Sequence, residues 1–168
     1  MAGETFEVQM WASFEGELLR PEGWFAGASA SYEIAGDLET FGSISTLTRS
    51  LMFLFQEGTP DANWLRDVFT GQVDMPGNFD PGNPLHVLSF DIETTANNTG
   101  ILDINLRPHS TWGVPLLGWS IDGSDNYAET NDPNIALIAT PASVRVIPAP
   151  GAGAVLALAG VAALRRRR

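Results

Sequence analysis

The chain has 168 residues, 44% of them hydrophobic and 17% charged, which bounds it to about one domain with a core of its own. Acidic residues outnumber basic ones 20 to 9, every basic residue is Arg, and four of the nine are the terminal Arg165–Arg168, so residues 1–164 carry 5 Arg against 20 acids, a formal charge of −15. Phosphate backbones repel such a body, which excludes nucleic acid as a partner, and the absence of Cys excludes disulfide scaffolds, thiolate metal sites and cysteine nucleophiles.

Taken in chain order, period-two alternation dominates. Phe6, Val8 and Met10 alternate with Glu7, Gln9 and Trp11, which predicts a half-buried strand with Trp11 facing outward. Residues 28–34 (ASASYEI) alternate around Tyr32 and Ile34. Residues 47–55 (LTRSLMFLF) are apolar without a period and fit a buried strand or a helix. One short helix is expected near 60–70. Thr59 suits an N-cap, Pro60 the first helical position and Asp61 the N-terminal dipole, and Trp64, Leu65, Val68 and Phe69 form an i, i+1, i+4, i+5 stripe before Gly71. Residues 74–84 (DMPGNFDPGNP) read as loop. In 85–94 (LHVLSFDIET), His86, Leu88, Phe90 and Ile92 share the face expected to be buried. Asn97-Asn98-Thr99-Gly100 reads as a hairpin turn, and Leu102, Ile104 and Leu106 as the inner face of the next strand. Residues 135–139 and 143–147 are expected to close the body as strands. With 17 Gly and 11 Pro punctuating the chain, the fold class is all-β, an antiparallel sandwich over residues 1–147, and residues 148–168 form a separate segment.

That segment has three parts. Pro148-Ala149-Pro150-Gly151 cannot continue a strand or sit inside a helix. Ala152, Gly153, Ala154, Val155, Leu156, Ala157, Leu158, Ala159, Gly160, Val161, Ala162, Ala163 and Leu164 are apolar on every face of the helix they would form. With Gly151 that helix measures about 21 Å, short of a bilayer core of about 30 Å; counting from Val146, and with arginine stems reaching outward, it can span. A short helix buried in the domain is the competing reading, but a core cannot accept Arg165, Arg166, Arg167 and Arg168, whereas an anionic cytoplasmic leaflet can. The positive-inside rule then places the arginines in the cytoplasm and the body outside.

The order Pro-x-Pro-Gly, apolar run, terminal arginines resembles the PEP-CTERM sorting signal of bacterial surface proteins. Pro148 and Pro150 match the two prolines of that signal, and Ala149 stands where Glu is usual. The resemblance covers residues 146–168. It implies a membrane partner, cleavage by an exosortase-type protease near 148–151, and release to the cell envelope or extracellular matrix, often among exopolysaccharide. Met1–Trp11 carries no secretory leader, so an in-frame upstream start is expected. More faintly, residues 7–14 (EVQMWASF), 23–34 (GWFAGASASYEI) and 84–106 resemble cohesin-like modules of bacterial surface proteins. That implies an Ig-like or jelly-roll-like sandwich of about nine strands, with no dockerin-binding residue matched.

Catalytic signatures are missing. His86 and His109 lack metal-ligand spacing, and there is no G-x-S-x-G elbow, P-loop or dinucleotide fingerprint, so no catalytic residue and no metal site are assigned. Asp122, Asp125 and Asn126, then Asn131, Asp132 and Asn134, and a looser set of Asp74, Asn78 and Asp80, offer the oxygen ligands that Ca²⁺ takes. None follows the EF-hand order, and ordinary turn chemistry accounts for all three. Of the five Trp, Trp24, Trp64 and Trp119 are expected in the core, while Trp11 and Trp112 are placed to stack on sugar rings. Two readings of the body follow: a non-catalytic structural or adhesive surface module, or a carbohydrate-binding or carbohydrate-active module delivered by the same tail.

Overall fold

The alternation of the first strand is realised in space. The computed structural model describes residues 2–17, 22–49, 54–72, 80, 82–120 and 127–147, without the side chains of 46–49, 54–57 and 127. In β1 (Thr5–Ala12), Phe6, Val8 and Met10 pack on the core while Glu7, Gln9 and Trp11 are exposed. The chain continues through β2 (Trp24–Gly36), a 3-10 turn at Leu38–Thr40, β3 (Phe41–Arg49), β4 (Leu54–Asp61) and β5 (Trp64–Gly71). It then runs through β6 (Leu85–Thr94), β7 (Gly100–Arg107), β8 (Leu116–Ser120), β9 (Tyr127–Glu129) and β10 (Ala142–Val146). Among the described residues that turn is the only helical element. All pairings are antiparallel. One sheet is ordered β1-β6-β3, and the other β10-β7-β2-β5-β4, with β8 beside the first half of β2 and β9 beside β8.

The two sheets face each other across one apolar core. Leu88, Phe90 and Ile92 of β6 meet Ala28, Ala30, Tyr32 and Ile34 of β2, Leu65 and Val68 of β5, Leu102 and Ile104 of β7, and Trp119 of β8. The Tyr32 and Phe90 rings lie 5.4 Å apart and tilted. The Tyr32 hydroxyl donates to Met10 Sδ, and burial pushes its pKa well above the usual phenol value. Gln72, 4% exposed, donates through its amide to the carbonyls of Phe25 and Asp80 and accepts from the Asp80 N–H. A buried amide so fully satisfied is a clamp that fixes Asp80 beside the end of β5 and the start of β2.

Three expectations are corrected. Residues 59–71 form no helix; they lie in the hairpin of β4 and β5, with Ala62-Asn63 as a two-residue turn. The helix-like stripe arises from a bulge: Tyr32 pairs with Leu65 and Ala30 with Val68, so Arg66 and Asp67 together oppose Ser31 and Leu65 and Val68 both face inward. Gly58 accommodates this bulge, with φ +73° and space for a side chain blocked by the Arg66 carbonyl. Pro60 is tolerated because β4 is an edge strand. The turn before Gly100 is not a hairpin, since β6 and β7 belong to different sheets. It is tied instead to the 3-10 turn by Asp37, whose carboxylate accepts the Ile101 N–H at 2.8 Å, and by Asn98, which donates to the Glu39 carbonyl. Residues 135–139 form no strand; the chain there is irregular and Ile138 is 88% exposed. Of residues 47–55, those up to Arg49 and from Leu54 are strand.

Candidate functional site

Hydrogen bonds place both ends of the described body at one pole. The Ala2 N–H donates to the Ile147 carbonyl, and the Thr94 N–H to the Glu4 carbonyl. From there β1 runs about 23 Å to Ala12, at about 3.3 Å per residue, and β7 runs the same way from Gly100 to Arg107. The opposite pole carries the end of β1, the start of β6 and the loop after β7. Trp11 and Trp112 lie at that pole, 56% and 55% exposed.

Trp11 sits on the outer face of the three-stranded sheet. Met10 pairs with Leu88 but Trp11 with His86, so Val87 is an extra residue in β6. That bulge reverses the alternation. Leu85 and Val87 turn inward, 4% and 0% exposed, and His86 turns outward beside Trp11. The expectation that His86 is a core residue is therefore corrected. The two rings stack at 5.0 Å and 27°, and His86 Nε2 bridges the bulge to the Leu88 carbonyl at 3.1 Å. Trp11 Nε1–H donates to Gln9 Oε1 at 3.2 Å, and Gln9 Nε2–H to Glu7 Oε2 at 3.3 Å. One face of the indole is thus covered and its in-plane donor held. Hydrogen bonds from Ser89 and Gln9, aided by the charge of His86, hold the Glu7 carboxyl below its usual pKa. Asp91 lies opposite Glu7, and Ser43 of β3 donates to Glu93 at 3.2 Å. Among the described side chains this face carries carboxylates, hydroxyls, one amide and the Trp–His stack.

Trp112 is held on the other sheet. Ser31 alternates with the inward Ala30 and Tyr32, so it marks the outer face of that sheet. The Asp67 N–H donates to Ser31 Oγ at 3.0 Å. Asp67 takes φ +58°, and its carboxylate accepts the Ser110 N–H and the Ser110 hydroxyl, both at 2.7 Å. These bonds, led by the Ser110 N–H, hold its pKa below the ordinary carboxylate value. His109 is 5% exposed; its Nδ1 accepts the Thr111 N–H at 3.1 Å and lies 3.7 Å from Asp67. The His109 carbonyl accepts the N–H groups of Trp112 and Gly113. Asp, His and Ser meet here, but not as a relay. The Ser110 hydroxyl is spent on the carboxylate, and the imidazole nitrogen facing it is occupied by a backbone N–H. The arrangement anchors a loop. The two exposed indoles therefore lie on opposite outer faces and form no common platform.

Trp24 and Trp119 are core residues, each 2% exposed, as expected; Trp64 is half-buried, with the Arg66 guanidinium 4.4 Å from its ring. Among the described residues no three His, Cys, Asp or Glu converge to hold a metal. Asp80 Oδ1 accepts the Gly82 N–H and Asp132 Oδ2 the Glu129 N–H, which is turn chemistry. Asp74, Asn78, Asp122, Asp125 and Asn126 lie outside the described residues, as do the whole Pro148–Gly151 motif, the 152–164 run and Arg165–Arg168. Among the described residues no helix is long and apolar enough to cross a membrane.

The fold is an antiparallel β-sandwich. A chain of the CaDoc0917–CaCohA2 complex, a cohesin–dockerin complex solved at pH 5.5, superposes with a TM-score of 0.53 and 14% identity, covering 86% of this chain and 91% of that one. No protein-family model matches the sequence, and no curated protein does.

Proposed function

We propose that this is an exported bacterial surface or matrix protein, sorted by Pro148-Ala149-Pro150-Gly151, the apolar run 152–164 and Arg165–Arg168, and processed by an exosortase-type protease. Its body is a non-catalytic structural or adhesive module. The observation that carries this reading is the three-part tail. It follows directly on β10 in the sequence. The cohesin-like fold suits such a module, and among the described residues the Ser110-His109-Asp67 grouping is used for anchorage. Deleting residues 148–168 should leave the melting temperature nearly unchanged and abolish membrane retention in fractionated cells. Replacing Arg165–Arg168 by Ser should impair retention or orientation. Unfolding of the truncated body would instead mean that the tail is a buried part of the domain.

A second reading, a carbohydrate-binding body delivered by the same tail, draws on a specific observation. Trp11 presents one free ring face at the pole away from the tail, its other face stacked on His86.

A further inference from the structure

We propose that the outer face of the three-stranded sheet binds a glycan free of acid groups, a neutral pyranose chain stacked on Trp11; this rests on the carbohydrate-binding reading and names its ligand class. Three observations carry it. The first is that the indole is exposed yet already oriented. His86 stacks behind it and Gln9 holds its N–H, so little freedom is lost when a second ring lies on its open face. An apolar ring face with fixed polar neighbours suits a pyranose, which has C–H faces and hydroxyl edges.

The second is the row of polar groups that continues from the indole at two-residue spacing. Gln9 and Glu7 follow Trp11 along β1; on β6 Ser89 lies beside Gln9, Asp91 beside Glu7 and Glu93 one step further, beside Thr5. Carboxylates accept from hydroxyl groups, and the Glu7 carboxyl, held below its usual pKa, stays an acceptor well into mild acid. The strands are neighbours in unbroken register from Thr5 to Met10, so the row is a track, not a pocket.

The third is charge. Glu7, Asp91 and Glu93 are joined on this face by one titratable group of the other kind, His86, among the described side chains. A uronate or sulfated chain would meet three carboxylates and be repelled. The same surface that accepts hydroxyl protons therefore selects against the acidic polysaccharides common at cell surfaces. The Trp112 loop, on the opposite face, plays no part.

The test uses the full chain in a detergent without a sugar headgroup. Tryptophan emission is followed on titration with cellohexaose, hexa-N-acetylchitohexaose and an alginate hexamer. Expected is a saturable change with at least one of the two neutral chains and none with alginate. Trp11→Ala should weaken that binding at least about tenfold, the scale of a central aromatic contact, and Ile138→Ser should leave it as it was. If Trp11→Ala does not fold, Trp11→Phe decides: weakened binding supports the site and unchanged binding overturns it. Alginate binding as tight as the neutral chains, absence of binding by both neutral chains, or full affinity without Trp11 would also overturn it. Failure of the chain to reach the envelope would overturn the sorting reading and leave this titration unaffected.

Discussion

Trp11 and Trp112 are almost equally exposed, yet the two outer faces hold them by different physics. Trp11 projects from a strand paired along its whole length to β6, and a stacked imidazole sets its plane. Trp112 projects from a loop between β7 and β8 whose hydrogen bonds to β5 are made through the Asp67 carboxylate, reinforced by turn hydrogen bonds around the buried His109. A strand-borne aromatic inherits the stability of the sheet. A loop-borne one inherits the stability of its anchor. The two should therefore separate under perturbation, and the sharpest tests are those that loosen one and not the other.

The largest effect removes what both faces share. Phe90 is 1% exposed in the middle of β6 and touches Tyr32 across the core. Phe90→Ala should cost about 3–5 kcal/mol, read by denaturant unfolding, and both indoles should lose their environments together. If Trp112 keeps its environment while Trp11 loses it, the two sheets do not unfold as one unit.

Next is the anchor itself. Asp67→Ala removes both acceptors of Ser110 and puts Ala at φ +58°, where Asp and Asn are tolerated better. About 1–3 kcal/mol should be lost. Amide exchange at Ser110 and Thr111 should accelerate while exchange in β1 stays as it was. Asp67→Asn keeps the backbone preference and one acceptor, and should cost less than half as much. Equal losses in both variants would show that the carboxylate charge, and not the backbone, is what the loop depends on.

Acid provides the same test without mutation. The Asp67 carboxyl titrates below its unfolded value of about 3.9, so its contribution is present above that pH and is lost as pH falls through the lower folded value. Protection of the Ser110 amide, taken relative to the intrinsic exchange rate at each pH, should thus hold at pH 5 and fall only below about pH 4. Loosening between pH 5 and 7 would point away from Asp67 as the anchor.

These contrasts also show how far the sequence could be read. Strict alternation marked Phe6, Val8 and Met10 as inner and Trp11 as outer, and it marked Leu102 and Ile104 as core, because unbroken strands translate sequence parity into sidedness. Every misassigned residue near the candidate sites lies beside a bulge. Val87 shifts the parity of β6 and moves His86 to the surface. Arg66 and Asp67 shift that of β5 and bring Leu65 and Val68 to one side, at a spacing that imitates a helix. A bulge is a single extra residue with no composition of its own, so periodicity cannot reveal it. The Asp67–Ser110 bond joins residues 43 apart in sequence, and no local pattern announces it. The tail is read from composition and order alone, and it lies outside the described residues.

The smallest expected effect probes the Trp11 side alone. The His86 ring stacks on Trp11 and bonds the Leu88 carbonyl at a half-buried surface position. A stacked aromatic pair is worth about 0.5–1.5 kcal/mol, and exposure here favours the lower end. His86→Ala should therefore lower the melting temperature only slightly. The bulge should persist, because Val87 and Leu88, 0% and 1% exposed, remain buried on its inner side. What should change is the freedom of the indole. With no ring behind it, the emission anisotropy of Trp11 should fall, measured in a background where the other exposed indole is removed by Trp112→Phe. His86→Phe restores a flat ring without the nitrogen. Recovery of anisotropy in that variant would assign the effect to stacking, and lack of recovery would assign it to the bond across the bulge. Exchange at Ser110 should be identical in all three proteins, since among the described residues no hydrogen bond joins the Trp11 face to the Asp67 anchor.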